Sequence, residues 1–302
     1  TGTSTGFGNE YVKICLANGH KVVATARDAS KLSFADVADA SHLLLTDLDV
    51  TKKASIDAAF RAALDKFGRV DVVCNNAGYG LSGAFESLSE KQIRTQMEVN
   101  FFGLIDVTRR AMEVMRDEQK PAGGVIQQVT SIGGQRGVPL FSTYCASKWA
   151  VEGFTEAVSK EVKPEWGIKF TCIEPGGFRT DWAGRSMDFG TLIFASFLFL
   201  LRFLLRLRAN VWSGKGEPHP AYEHLNAKEI MGKRHGTQAG DPKKGAQAFY
   251  DLAVMPDPPL RCIVGTDAYS AINEKLDSYR ESVKKYEKLS NSTDVDGYKK
   301  PE

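Results

Sequence analysis

The run Tyr144-Cys145-Ala146-Ser147-Lys148 sets a phenol and an ammonium four residues apart. On a helix, positions i and i+4 share one face. A phenol alone titrates near ~10. A neighbouring ammonium favours the phenolate and lowers that value, so the pair can serve as a general acid and base near neutral pH. The same pair is common on solvated helix surfaces and gains weight only with company. Ser131 ends the apolar run before this helix, where its hydroxyl can reach a substrate oxygen beside Tyr144 or cap a turn. Asn100 stands among Val99, Phe101 and Phe102. A buried amide there needs partners, either a structural hydrogen bond or a water that relays protons.

A second group of residues suits phosphate. Thr1-Gly2-Thr3-Ser4-Thr5-Gly6-Phe7-Gly8 carries glycines at spacings of four and two. A glycine-rich turn entering a helix lets backbone approach a pyrophosphate, and the helix N-terminus offers free N–H groups and a positive partial charge. Asn75-Asn76-Ala77-Gly78 follows an apolar run ending at Cys74, where a plain turn is the simpler alternative. Asp47-Leu48-Asp49-Val50 lies at another such end, where a solvated helix cap competes with a binding role.

The elements that must position these residues follow from periodicity. Strands are expected at 21–25, 43–45, 70–74, 125–130, 168–173 and 261–264. Helices are expected at 6–18, 51–67 with Thr51 as cap and Gly68 as stop, 89–100, 102–118, 142–162, 243–254 and 271–288. Such alternation predicts an α/β fold, a Rossmann-like doubly wound parallel sheet with helices on both faces. Ligands then bind beyond the carboxyl ends of the strands, where every motif above falls. Residues 1–290 read as one domain with a substrate-loop region at 176–240, followed by a polar tail at 291–302.

Composition narrows the function. The 39 basic and 37 acidic side chains leave a net charge of +2, which gives no footprint for nucleic acid. Five scattered cysteines (Cys15, Cys74, Cys145, Cys172, Cys262) read as reduced thiols of a cytoplasmic protein. The five histidines show no metal-ligand spacing, so no metal is expected.

Taken in order, TGxxxGxG, the acidic residue at Asp49, NNAG, a serine thirteen residues before YxxxK and a later PGxxxT resemble the short-chain dehydrogenase/reductase family over about residues 1–185. The resemblance implies an oxidoreductase acting on CH–OH groups with a nicotinamide cofactor. It implies that Gly2, Gly6 and Gly8, with Thr3, Ser4 and Phe7 in the same turn, cradle the pyrophosphate. Asp49 then meets the adenine, whose pocket Asn75, Asn76, Ala77 and Gly78 line. Tyr144 exchanges the proton, Lys148 holds the ribose and tunes Tyr144, Ser131 stabilises the reacting oxygen and Asn100 holds a relay water. Pro175, Gly176 and Thr180 meet the nicotinamide end. The end of the second strand carries Ala26 and Arg27 where an acid would select NAD(H), so NADP(H) is expected unless Arg27 is neutralised by an acid such as Asp28. Glu174–Asp181 and the run after Asn75 are similar to the hydroxysteroid- and retinol-dehydrogenase-like branch, which implies an apolar ketone, aldehyde or secondary alcohol as substrate.

Two features sit awkwardly with that resemblance. The chain opens at Thr1 inside the glycine motif, so the family's first strand is expected to lie on a missing N-terminal piece. The segment 191–210, TLIFASFLFLLRFLLRLRAN, has eleven residues before its first arginine, too few for a bilayer span of ~20. It reads as an apolar lid, as a helix docking on a membrane surface, or as an intron translated in frame. Two other functions compete with the enzyme: a catalytically silent dinucleotide-binding sensor or scaffold, and a membrane-surface protein acting through 191–210. A homo-oligomer is compatible with either class.

Overall fold

The structure is a computed structural model that describes residues 1–34, 41–192, 214–215 and 220–298. Its strands are β1 (Val22–Ala26), β2 (Leu43–Asp47), β3 (Val72–Asn75), β4 (Gly80–Ser82), β5 (Gly124–Val129), β6 (Ile168–Pro175), β7 (Met187–Phe189), β8 (Thr191–Leu192), β9 (Gly214–Lys215) and β10 (Arg261–Val264). Its α-helices are α1 (Gly6–Ala17), α2 (Lys53–Phe67), α3 (Glu90–Met97), α4 (Gly103–Glu113), α5 (Ser142–Glu161), α6 (Trp182–Arg185), α7 (Ala227–Arg234), α8 (Pro242–Val254), α9 (Thr266–Lys285) and α10 (Glu287–Asn291).

The framework is a Rossmann-like parallel sheet. Strands run in the order β10-β6-β5-β3, and β1 pairs with β2, every pair parallel. Among the described residues the two pieces are spanned by residues 1–3. The Thr1 ammonium donates to the Cys74 carbonyl at 2.7 Å, and the Thr3 N–H donates to the Thr25 carbonyl at 3.0 Å. Helices cover both faces. Ile56 and Phe60 of α2 with Val107 and Ala111 of α4 pack on Ile126 and Phe170. Tyr11 and Ile14 of α1 with Phe249 and Leu252 of α8 pack on Val129 and Ile173. Covered on both sides, β6 is buried at all but one of its positions, the pattern of a central parallel strand.

The central strand β5 carries two buried amides that tie the layers together. Gln127 donates to the Phe249 carbonyl at 2.7 Å and accepts from the Tyr11 hydroxyl at 3.0 Å. Gln128, on the opposite face, donates to Thr108 and accepts from Asn75. Local chemistry fixes several helix ends. Asp241 accepts from the N–H groups of Lys243 and Lys244, Pro242 occupies the first turn of α8, and Gly68 closes α2 at φ +78°.

Two expectations are corrected here. Thr51 does not cap α2, which starts from Lys52; Thr51 instead donates its N–H and hydroxyl to Asp49, closing a tight turn. The two helices expected at 89–100 and 102–118 are one continuous helical run. α3 passes into a π-helical turn at Glu98–Phe102, then α4, then a second π turn at Val114–Glu118. The expected 191–210 insert lies outside the described residues apart from β8, which pairs antiparallel with β9.

Candidate active site

A cavity of about 1090 Å³ opens beyond the carboxyl ends of the strands. Its walls include Gly2, Ser4, Gly6 and Phe7 of the first turn, Ala26 at the end of β1 with Arg27 after it, and Asp49 after β2. Asn76, Ala77 and Gly78 follow β3, Ser131 follows β5, Tyr144 and Lys148 come from α5, Pro175 ends β6, and Gly176 and Thr180 follow it. Sequence motifs spread over 180 residues thus meet in one space.

The glycine turn is built by close backbone approach. Gly2 and Gly6 hold φ of +68° and +58°, a region side chains avoid. A Cβ on Gly8 would lie 2.4 Å from the Gly2 carbonyl oxygen and 2.8 Å from Asn76 Nδ2, so Gly8 serves the packing of the turn, not the cavity wall. Asn76 donates to the carbonyls of Thr1 and Gly2 at 3.0 and 3.1 Å, and the Thr1 hydroxyl accepts from the N–H groups of Asn76 and Ala77. At the start of α1 the Thr5 side chain makes no capping bond and the first turn holds no acid. This 12-residue helix therefore turns uncapped N–H groups toward the cavity, which suits an anionic pyrophosphate.

Four residues expected to bind sit elsewhere. Thr3 is buried, with its hydroxyl donating to the Thr25 carbonyl. Gly8 packs the turn as described, and Asn100 lies behind the cavity wall. Asn75 also turns inward, donating to Thr108 and Gln128 at 3.1 and 2.9 Å, because strand alternation sends it to the helical layer. Arg27 is exposed at the cavity and forms no ion pair among the described residues. Asp28, the expected competitor, is engaged instead by Lys31 at 2.8 Å and by Ser30. Asp49 lines the cavity and also anchors the turn at Thr51.

The reacting end gathers on α5. Lys148 is buried and donates to the Val129 carbonyl at 2.8 Å, and its Nζ lies 5.9 Å from the Tyr144 ring centre. Ser131 accepts from the Gly133 N–H at 3.1 Å, the capping role, and its side chain favours the ionised form of Tyr144. Asn100 sits in the first π turn. It accepts from the Tyr79 N–H at 3.0 Å and donates to the Tyr79 carbonyl at 2.9 Å and to Ser147 at 3.2 Å. Both amide hydrogens are thereby used, leaving an oxygen lone pair for any water. Gly78 closes the group, since a Cβ there would lie 3.2 Å from Asn100 Oδ1 and 3.7 Å from Lys148 Nζ.

Electrostatics correct one expectation. Burial pushes the Tyr144 phenol up to about 12, against a smaller downward pull from Ser131. Burial also brings the Lys148 ammonium down to about 8, with Glu152 opposing. Both charged forms lose hydration in the same enclosed place, and that cost exceeds the benefit expected from an ammonium beside a phenol.

Several wall residues carry no sequence motif. Trp182 lies 5.5 Å from Tyr144 and 6.1 Å from Phe141, ring centre to ring centre, and with Met187 and Met231 makes an apolar end beside Tyr144. The parallel pairing of β4 with β7 fixes Met187 there. Asp267, ninety residues away, accepts from the Gly177 N–H at 2.7 Å and braces the turn after Pro175. Among the described residues no cluster of His, Cys, Asp and Glu could hold a metal, and no helix is long and apolar enough to cross a membrane.

Known proteins resemble this chain. An uncharacterized oxidoreductase of Schizosaccharomyces pombe is 35% identical over 299 residues, covering 99% of this chain and 91% of the relative. A 3-ketodihydrosphingosine reductase of Bacteroides thetaiotaomicron is 36% identical over 180 residues, covering 60% of this chain and 63% of that protein. The crystal structure of a short-chain dehydrogenase from Streptomyces avermitilis superposes with a TM-score of 0.79 at 32% identity, covering 97% of both chains. The short chain dehydrogenase family model matches residues 1–188, well over half the chain, and the protein belongs to the short-chain dehydrogenase/reductase family of oxidoreductases.

Proposed function

We propose that the chain transfers a hydride between NADP(H) and the carbonyl or alcohol carbon of a small apolar ketone, aldehyde or secondary alcohol, with Tyr144 as general acid and base. The observation that carries this reading is the meeting of Tyr144, Ser131 and Lys148 with the uncapped start of α1 in one cavity. When bound, the nicotinamide would supply or accept the hydride. Gly2, Gly6 and the first N–H groups of α1 would hold its pyrophosphate, and Asp49, Ala77 and Gly78 would flank the adenosine. Arg27, unpaired among the described residues, favours a 2′-phosphate through charge-assisted hydrogen bonds. Thr180, Pro175 and Gly176 would border the nicotinamide amide.

The chain's own groups then manage the proton and the oxygen. Tyr144 stays protonated near neutral pH, the form that a reduction consumes, and gives its proton to the carbonyl oxygen. Ser131 hydrogen-bonds the same oxygen as negative charge grows on it. Lys148, still largely charged at pH 7, would hold the ribose of a bound cofactor and keeps a proton donor beside Tyr144. Asn100 fixes the backbone at Tyr79 and the start of α5 through Ser147, which keeps this group in register. The aromatic wall of Phe141 and Trp182 supports an apolar substrate, as does kinship with a protein named for reducing 3-ketodihydrosphingosine.

The test is a fluorescence titration with NADPH beside NADH, followed by turnover of apolar ketones. NADPH is expected to bind more tightly. Tyr144→Phe should lose about 10²–10⁴-fold or more in turnover while binding NADPH unchanged. Substantial turnover by that variant would remove Tyr144 from the mechanism.

A further inference from the structure

One turn beyond Lys148, on the same face of α5, lies a carboxyl group that the proposed reaction does not use. Glu152 and Lys148 stand at positions i+4 and i, and both are buried. Lys148 borders the cavity and Glu152 does not. Arg261 of β10 holds Glu152 from the far side, donating from Nε to Oε2 at 3.0 Å. The other oxygen, Oε1, has no hydrogen-bond partner among the described residues. It lies beside the turn that carries Ser131: a Cβ on Gly134 would be 3.4 Å from Oε1 and 3.2 Å from the Lys148 carbonyl oxygen. A buried carboxylate oxygen without a hydrogen bond is costly, and a cation within reach offsets that cost.

The remaining neighbours of Lys148 supply no negative charge. Val129 gives it a carbonyl at 2.8 Å, and Asn100 and Gly78 are neutral. Burial raises both the Tyr144 phenol and the Cys172 thiol of β6, so each keeps its proton. Around Glu152 stand Arg261, Glu156 on α5, Cys172 and Glu174 on β6, and, beyond Glu174, Cys262 on β10. Arg261 is 3.0 Å from Glu152 and 3.9 Å from Glu174, so it favours the anion at Glu152 and leaves the proton to Glu174.

We infer that Glu152 is the internal counter-ion of Lys148, a positioning residue that acts on the lysine from behind the cavity without touching substrate or cofactor. The inference rests on the part given to Lys148 in the proposed reaction. The Glu152 anion opposes the burial that strips the ammonium of water, and Lys148 stays charged up to about pH 8.

The test titrates Lys148 directly, by NMR of the cofactor-free protein labelled with 13C at lysine Cε. The Lys148 signal is identified by its loss in Lys148→Arg. The wild-type midpoint is expected at about 8. Glu152→Gln should lower it by about one pH unit, the size of a buried charge pair at an effective dielectric constant of ~20. Glu152→Leu, which leaves no unpaired polar atom, is a second neutral form, and circular dichroism reports the fold of each. Glu152→Asp keeps the anion and should restore most of the shift. Glu156→Gln, which removes the more exposed carboxylate on the same arginine, should leave the midpoint in place. A midpoint unmoved in a folded neutral variant overturns the proposal. In ketone reduction at saturating NADPH, the decline at high pH should move down with the lysine while the rate at pH 6 is kept. An equal loss at every pH would make Glu152 a structural support and also overturns the proposal. A wild type that reduces no ketone would defeat the proposed reaction, and the lysine titration would still decide the role of Glu152.

Discussion

Replacing Glu174 by glutamine removes a carboxyl group that has almost no access to water. Glu174 and Glu152 are 1% and 4% exposed, and they face one another behind the Tyr144 helix. Arg261 stands 3.0 Å from Glu152 and 3.9 Å from Glu174, yet also binds Glu156 at 2.7 Å. One guanidinium cannot neutralise three carboxylates. Glu152 Oε1 is buried with no hydrogen-bond partner, and Gln135 gives Glu174 a single N–H at 3.2 Å. Burial, followed by repulsion from Glu152, therefore raises the Glu174 carboxyl above its ordinary value. The folded chain keeps a proton that the unfolded chain has released. In that window stability must fall as pH rises, starting near the ordinary glutamate value of ~4.3 and ending once the folded carboxyl has ionised. One extra bound proton gives a slope of at most about 1.4 kcal/mol per pH unit, so two units amount to ~3 kcal/mol. Urea unfolding of the wild type and Glu174→Gln, followed from pH 5 to pH 8, checks this. The wild type should lose stability along the series, and the variant, which imitates the protonated acid, should lack that loss. Parallel curves for the two proteins would refute the reasoning.

Other outcomes follow from the site. Gly8→Ala forces a Cβ into the Gly2 carbonyl, where backbone cannot yield, so NADPH binding should be lost at a stability cost of about 1–3 kcal/mol, both measurable by titration and melting. Arg27→Glu should reverse the preference between NADPH and NADH, with NADPH affinity falling roughly 10- to 100-fold in paired titrations. Lys148 loses its charge as pH rises through about 8, so ketone reduction at saturating NADPH should decline above that pH; a profile flat to pH 10 would exclude a charged lysine. Trp182→Ala removes an aromatic neighbour of Tyr144 worth about 0.5–1.5 kcal/mol, and should raise KM for bulky apolar ketones while sparing small ones.

Much of the site is legible in the sequence because its parts are local. Tyr144 and Lys148 share a helix face through spacing alone, and the glycine turn declares itself through residues that only glycine can replace. What escapes depends on distant chain. Asp267 braces Gly177 across ninety residues, and no spacing rule links them. Asn75 and Asn76 are neighbours with opposite fates, one turned into the core and the other onto the glycine turn, which depends on where β3 ends. The phenol's affinity for its proton depends on how deeply α5 is covered, and a helix sequence does not record the layers around it. The short strands β4 and β7 are too brief for an alternating pattern to emerge from three residues each.

The wide turn at Glu98–Phe102 has a bearing on how this chain tolerates change. A π turn is an α-helix holding one residue too many, and it persists where something depends on the displacement. Removing a single residue there, Val99 for instance, would let the run from α3 to α4 wind regularly. The helix would gain in regularity and its two flanks would stay in phase, because the wide turn is what absorbs the extra residue, but the residues inside the turn would be redirected. Asn100, inside the turn, would swing away from Tyr79 and Ser147. Length in this segment is thus under a constraint as strict as residue identity. Insertions and deletions among homologous chains should avoid 96–103, even where individual substitutions are accepted.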